Sequence, residues 1–219
     1  QGNWFEAGQI YKRFAATTPW WVAEIPRKGT PQWFMENPMW ICGIPIDTGL
    51  PTYRWCQEYF ETPVAIIAGL LLTKHGNWRY GPEDVVKDFA LPSLKQMQEE
   101  GIRVFTYFNG RLCFADKTAD EENNYTEKWL PHTAKNEDGK PYGAVYGAQG
   151  YHTVMCPGSP VWQEHLLKNM EMFAAAKMAG VYHDQLPCST AYCCFDENHG
   201  YPVNDQQSRV TKGHWKTYG

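Results

Sequence analysis

The sequence predicts an α/β chain of parallel strand-and-helix units, of the (β/α) TIM-barrel type. Three observations carry that prediction: short apolar runs alternate with segments of helical periodicity, the apolar runs are those of strands buried on both faces, and polar residues gather just after the runs end. A chain of 219 residues with 43% hydrophobic, 15% aromatic and 20% charged positions can bury a sizeable core, which excludes disorder. The longest apolar run, residues 64–72, is interrupted by Gly69 and is far shorter than the about 20 residues of a membrane-spanning helix, so no membrane partner is expected. Twenty basic against 24 acidic residues give a net charge of −4 without a basic run at either end, which disfavours a nucleic-acid partner.

The elements follow in order. Asn3 stands three residues before Glu6 and ahead of apolar Phe5, Ile10, Tyr11 and Phe14, a capping-box pattern for a helix ending near Pro19. Residues 20–38, rich in Pro, Trp and Gly, read as a loop or crossover with no element assigned. Residues 39–45 are a first buried strand, 53–60 a helix, and 64–72 a second strand. Pro82 opens a helical stretch with Val85, Val86, Phe89, Leu94 and Met97 on its apolar side, kinked at Pro92 and closed by Gly101; residues 102–108 are a third strand. Ser159-Pro160 is an N-cap followed by Pro at the first helical position, and Trp162, Leu166, Met170, Phe173 and Ala174 repeat at helical spacing up to Gly180. The strand 180–185 follows at once.

Residues 109–158 interrupt this rhythm as a polar, Asn- and Gly-rich insertion, far longer than the about 2 to 6 residues usual between a strand and a helix. The chain otherwise reads as a single domain over 1–219, without internal repeat or low-complexity tract. A (β/α)₈ barrel takes about 250 residues for eight strands, and here four are used by Gln185, with a tail after Pro202 that resembles the start of another helix. The expectation is therefore half or part of a larger barrel, with further domains of a longer chain as possible partners. The chain opens at Gln1 with neither an initiator Met nor a leader, so a signal peptide is read as absent or removed; a secreted or periplasmic setting is favoured, and the seven cysteines leave the redox compartment open.

In parallel α/β folds the ligand meets the carboxyl ends of the strands. That rule selects Asp47 and Thr48 after the first strand, Lys74, His75 and Trp78 after the second, Asn109, Arg111 and Asp116 after the third, and His183, Asp184 and Gln185 at the fourth. Asp184 is a candidate nucleophile or base, and equally a turn-capping carboxylate. Asn109, Arg111, His75, His183, Gln185 and His199 offer hydrogen bonds to hydroxyls, and Trp40 or Trp78 a flat surface for a sugar ring; ten Trp and 13 Tyr suit such stacking. Cys188, Cys193, Cys194 and His199 approach zinc-ligand spacing but lack a second well-spaced pair, so loop thiols or a disulfide are preferred there; neither a metal nor another cofactor is expected.

Five segments carry a resemblance: WFEAGQIYKRFAATTPWW at the start, YFNGR at the third strand, MCPGSPVWQ before the long helix, GVYHDQLP at the fourth strand, and CFDENHGYP downstream. Together they resemble a family of bacterial glycoside-hydrolase-like (β/α)₈ barrels related to the α-galactosidase-like clan, over most of the chain. The resemblance implies a catalytic barrel acting on an oligosaccharide or glycoside, within a longer multidomain protein. It also implies an aspartate nucleophile at the end of the fourth strand, matching Asp184, and an acid/base partner from a later strand. The implied mechanism is retaining, with two carboxyl groups about 5 to 5.5 Å apart. Two alternatives stay open: a carbohydrate-binding barrel relative without catalysis, and a zinc-dependent hydrolase using the Cys/His loop.

Overall fold

The structure, a computed structural model, describes residues 2–18, 29–42, 46–68, 90–146, 150–185 and 192–199. Where the sequence reads as one domain, the contacts group residues 1–38 and 39–219 as two compact units, each described here by itself.

In the first unit, helix α1 (Trp4–Ala15) begins at the predicted capping box: Glu6 N–H donates to Asn3 Oδ1 at 3.0 Å and Asn3 N–H to Glu6 Oε2 at 3.1 Å. Two of the four orphan donors of the first turn are thereby satisfied. The predicted apolar side is not buried, for Phe5, Ile10, Tyr11 and Phe14 are all more than half exposed. A short helix α2 (Gln32–Glu36) lies inside the stretch the sequence leaves unassigned.

The second unit is built on a parallel sheet of β1 (Met39–Cys42), β2 (Val64–Ala68), β3 (Arg103–Asn109) and β7 (Gly180–Asp184), in the order β1-β2-β3-β7. Each strand joins the same side of its predecessor, so the sheet is singly wound, as in a barrel, and not doubly wound about a switch point. Helix α3 (Ile46–Phe60) begins earlier than the predicted 53–60 and runs through Pro51. The sequence around Gly49-Leu50-Pro51 has turn composition, but Leu50 and Tyr53 are both buried, and that packing outweighs local propensity. Helix α4 (Ala90–Glu99) buries Leu94 and Met97 as expected and ends at Gly101, whose φ of +77° suits a residue without Cβ. Helix α7 (Pro160–Ala175) starts at Ser159 as predicted and buries Trp162, Leu166 and Phe173. Pro92, expected to kink a longer helix, lies in the first turn of α4; the predicted helical stretch before Ala90, the second-strand extension beyond Ala68 and the tail after His199 lie outside the described residues, as do Lys74, His75, Trp78 and Cys188.

Alternation along the strands sorts side chains onto two faces. Val104 and Phe108 of β3 share one core with Leu94, Met97, Trp162 and Phe173 from α4 and α7, and the Phe108 ring meets Phe173 edge-on at 5.6 Å. Full burial of one such side chain stabilises the fold by about 1.5–3 kcal/mol. The opposite face carries aromatic pairs, Trp40 against Phe105 at 5.0 Å and Tyr107 against Tyr182 at 5.7 Å, with Trp40 and Tyr182 exposed. Gly180 lies under the Phe105 ring, where a Cβ would collide with it.

The insertion is folded, not a long loop. It contains β4 (Leu112–Phe114), α5 (Ala119–Asn123), α6 (Tyr125–Lys128), β5 (Gly143–Val145) and β6 (Tyr151–Val154), and its strands form an antiparallel sheet in the order β4-β6-β5. A small satellite core of Leu112, Ala134, Val154, Cys156 and Cys194 supports it. Strands this short leave too little period-two signal to read from sequence. No described helix is long and apolar enough to cross a membrane.

Candidate active site

The carboxyl ends of β3 and β7 meet in register, Asn109 opposite Asp184 and Tyr107 opposite Tyr182. Residues of equal parity on paired strands share a face, so Tyr107, Asn109, Tyr182 and Asp184 form one constellation at the rim. The Tyr107 hydroxyl donates to Asp184 Oδ2 at 2.6 Å, a charge-assisted bond that fixes the carboxylate, which is half-buried. Asn109 is 95% buried, at 5% exposure, and its Oδ1 accepts from the backbone N–H groups of Arg111 and Leu112 at 3.0 and 3.1 Å. Its Nδ2 is buried with no hydrogen-bond partner among the described residues. An amide held rigidly by its oxygen and left with two buried N–H donors is suited to a ligand's oxygen.

Arg111 Nη1 donates to Gln185 Oε1 at 3.2 Å, and its guanidinium lies over the Tyr192 ring at 5.5 Å. Tyr192 in turn stacks on Tyr142, with centroids 4.3 Å apart. Gln185 has φ +63°, a left-handed conformation uncommon for a residue with a side chain. The turn between β3 and β4 is anchored from α7, where Trp162 Nε1 donates to the Gly110 carbonyl at 2.9 Å, and from the residue after β6, where Met155 N–H donates to the Arg111 carbonyl at 2.8 Å. Glycine is needed at position 110 because a Cβ there would run into the His183 ring.

The structure thus brings Asp184, Asn109, Arg111 and Gln185 together. His183 is placed on the other face: its ring packs on Phe108 at 5.0 Å, and burial pushes its pKa down to about 4, so it is a neutral packing group near pH 7. Trp40 is level with Arg103 through Ala65, six residues before Asn109, which at roughly 3.3 Å per residue puts it about 20 Å below the rim. Asp116 is spent in a turn, accepting from the N–H groups of Lys117 at 2.8 Å and Tyr151 at 3.2 Å. Asp47 and Thr48 fall at the start of α3. Tyr107, Tyr182 and Tyr192 are absent from the sequence-derived set; counting back by two from Asn109 and Asp184 would have found the first two.

His199 belongs to a separate buried cluster. Its Nδ1 is 3.2 Å from Cys194 Sγ, and its Nε2 donates to the Pro131 carbonyl at 3.0 Å. Cys156, from the end of the insertion, completes the cluster where the sequence suggested Cys188 and Cys193. A bond from the Cys156 thiol outweighs burial and, with His199 and backbone N–H groups of Lys135 and Asp196, holds the Cys194 thiol down at about 4. Burial lowers the His199 pKa, but Cys194, Asp196 and the Pro131 carbonyl outweigh it and raise it above the usual imidazole value.

The family described as "Domain of unknown function (DUF6259)" matches residues 1–206. A Bacteroides thetaiotaomicron protein named "Putative glycoside hydrolase" is 26% identical over 220 residues, covering 92% of this chain and 30% of the relative. "Putative glycoside hydrolase 22789" of Monosiga brevicollis is 23% identical over 221 residues, covering 84% and 18%. The chain therefore spans less than a third of the length of these curated relatives. Among solved structures, a ligand-free α-N-acetylgalactosaminidase of Bifidobacterium bifidum has a TM-score of 0.62 at 11% identity, covering 80% of this chain and 33% of its own. An α-galactosidase of Thermus thermophilus, in complex with p-nitrophenyl α-D-galactopyranoside, has a TM-score of 0.60 at 14% identity, covering 96% and 40%. At these identities the likeness is one of fold.

Proposed function

This chain belongs to the DUF6259 family, and we propose that it is the first part of a (β/α)₈ barrel of a retaining glycoside hydrolase, with Asp184 as nucleophile. The observation that carries the reading is the rim constellation: a half-buried carboxylate ending the fourth parallel strand, fixed through one oxygen by Tyr107 and flanked by the unspent amide of Asn109. The names of the curated relatives and the fold of the solved galactosidase-type enzymes support the same class.

In this mechanism Asp184 Oδ1 attacks the anomeric carbon while Oδ2 keeps its bond from Tyr107. A carboxylic acid from a later strand protonates the leaving oxygen, and water then releases the sugar from the glycosyl-enzyme. Asn109 Nδ2 donates to a ring hydroxyl, while Arg111 and Gln185, bonded to each other, extend the polar wall toward the aglycone. The substrate is an oligosaccharide or glycoside. Tyr182 and Tyr192 supply the aromatic surface near the rim. His75 and Trp78, which follow the second strand in sequence, are proposed as further substrate contacts.

The test is hydrolysis of aryl α-galactoside and aryl α-N-acetylgalactosaminide by the full-length natural protein and its Asp184→Asn variant. The variant is expected to fold with an unchanged circular dichroism spectrum and to lose about three orders of magnitude or more in kcat. Retained turnover would remove Asp184 from the mechanism. A second reading, a carbohydrate-binding barrel without hydrolysis, is favoured by one observation: Asp184 is the one carboxylate that ends a described strand of the parallel sheet. Saturable glycan binding with no released sugar would select it.

A further inference from the structure

We infer that Cys156, Cys194 and His199 form a structural zinc site that ties the segment 192–199 to the antiparallel sheet of the insertion. The three residues come from parts of the chain far apart in sequence: Cys156 follows β6, whereas Cys194 and His199 lie beyond β7. Their exposures are 0%, 2% and 3%, and one ligand atom of each lies within 4.8 Å of the other two. Tetrahedral zinc, with Zn–S of about 2.3 Å and Zn–N of about 2.0–2.1 Å, sets its donors roughly 3.5 to 3.8 Å apart. The Cys194 Sγ to His199 Nδ1 separation of 3.2 Å is already within a few tenths of an ångström of that.

The surroundings are those of a metal ligand set. His199 Nε2–H is held by the Pro131 carbonyl at 3.0 Å, which turns Nδ1 toward the sulfurs, the usual outer-shell arrangement for a zinc-bound histidine. Backbone N–H groups of Lys135 and Asp196 point at the Cys194 sulfur, as they do around metal-bound thiolates. The apolar cluster under the segment is small, with Leu112, Ala134 and Val154 as its aliphatic members. So little aliphatic surface gives weak support to an eight-residue stretch whose regular structure is a single 3₁₀ turn, Glu197–His199, and a metal would add to what packing supplies. Zinc takes both sulfurs as thiolates and Nδ1 without a proton, so the proton of the Cys156 thiol that bonds Cys194 leaves as the metal enters, and water fills the fourth position. Burial of all three ligands makes the role structural: the ion holds the segment that presents Tyr192 beneath Arg111.

The experiment loads the reduced full-length protein with Zn²⁺, removes excess by gel filtration, and measures zinc per chain alongside Cys156→Ser, Cys194→Ser and, as control, Cys42→Ser. The unmodified protein and the control are expected to retain about one equivalent more than the two cluster variants. Loading the unmodified protein with Co²⁺ gives a readout that needs no variant: thiolate-to-cobalt charge transfer and intense tetrahedral bands are expected. Equal zinc in all four proteins, absence of thiolate charge transfer, or a Cys156–Cys194 disulfide that excludes the ion would overturn the inference. None of these readouts depends on glycosidase activity.

Discussion

At the residue scale the site turns on how Asp184 is held. The 2.6 Å bond from Tyr107 stabilises the ionised carboxylate and fixes its plane. Removing it by Tyr107→Phe should lower kcat about 10-fold, worth roughly 1.4 kcal/mol of barrier, while melting temperature changes little. An unchanged kcat would make the bond merely architectural. Asp184, Asn109, Arg111 and Gln185 were legible in the sequence because a strand end is a place, and the residues there are read off directly. Tyr107 and Tyr182 were not singled out, since aromatic residues within an apolar strand look like core. The strand-end rule selects His183 along with its neighbour Asp184, although adjacent strand residues point to opposite faces.

The burial of His183 and His165 has a consequence for stability. Burial holds both near pKa 4, with Lys128 and Lys168 adding to the effect at His165. Between about pH 6.5 and 4 the unfolded chain binds protons at these positions that the folded chain does not, so their contribution is complete above pH 6.5 and is lost as pH falls through that window. Thermal unfolding from pH 7 to pH 4.5 should show a steeper loss of melting temperature in the unmodified protein than in a His165→Gln/His183→Gln variant. Equal slopes would contradict the assignment.

At the element scale, β7 and α7 position the rim. Gly180 starts β7 with its backbone against the Phe105 ring, so Gly180→Ala should destabilise by about 1–3 kcal/mol through overpacking. Phe105→Leu in the same chain should recover part of that loss, a coupling that denaturant unfolding of the two single variants and the double variant measures. Additive effects would mean the ring does not limit the site. Helix α7 was read correctly because its signals are local: the Ser159 cap, Pro160, and apolar residues at helical spacing. The insertion was not, because its antiparallel sheet depends on pairings between distant strands of three or four residues. Helix α3 shows the same limit, its first turns being fixed by buried Leu50 and Tyr53 against an unfavourable local sequence.

At the scale of the whole molecule, the parallel character of the sheet is legible from the alternation of strands and helices; its single winding is not, because a doubly wound sheet alternates in the same way, and it comes from the strand order. Parallel sheets are ordinarily covered on both faces. Here the helices cover one, and Trp40 and Tyr182 are exposed on the other. In the proposed function, closure into a barrel by strands outside this chain buries that face and brings a second carboxyl group opposite Asp184.

The central claim, that Asp184 is the nucleophile of a retaining glycosidase, is tested most directly by trapping the covalent intermediate with an activated fluorosugar on the full-length protein and sequencing the labelled peptide by mass spectrometry. The account predicts one sugar per chain, esterified to Asp184. A label on any other carboxylate of an enzyme that turns over would contradict it.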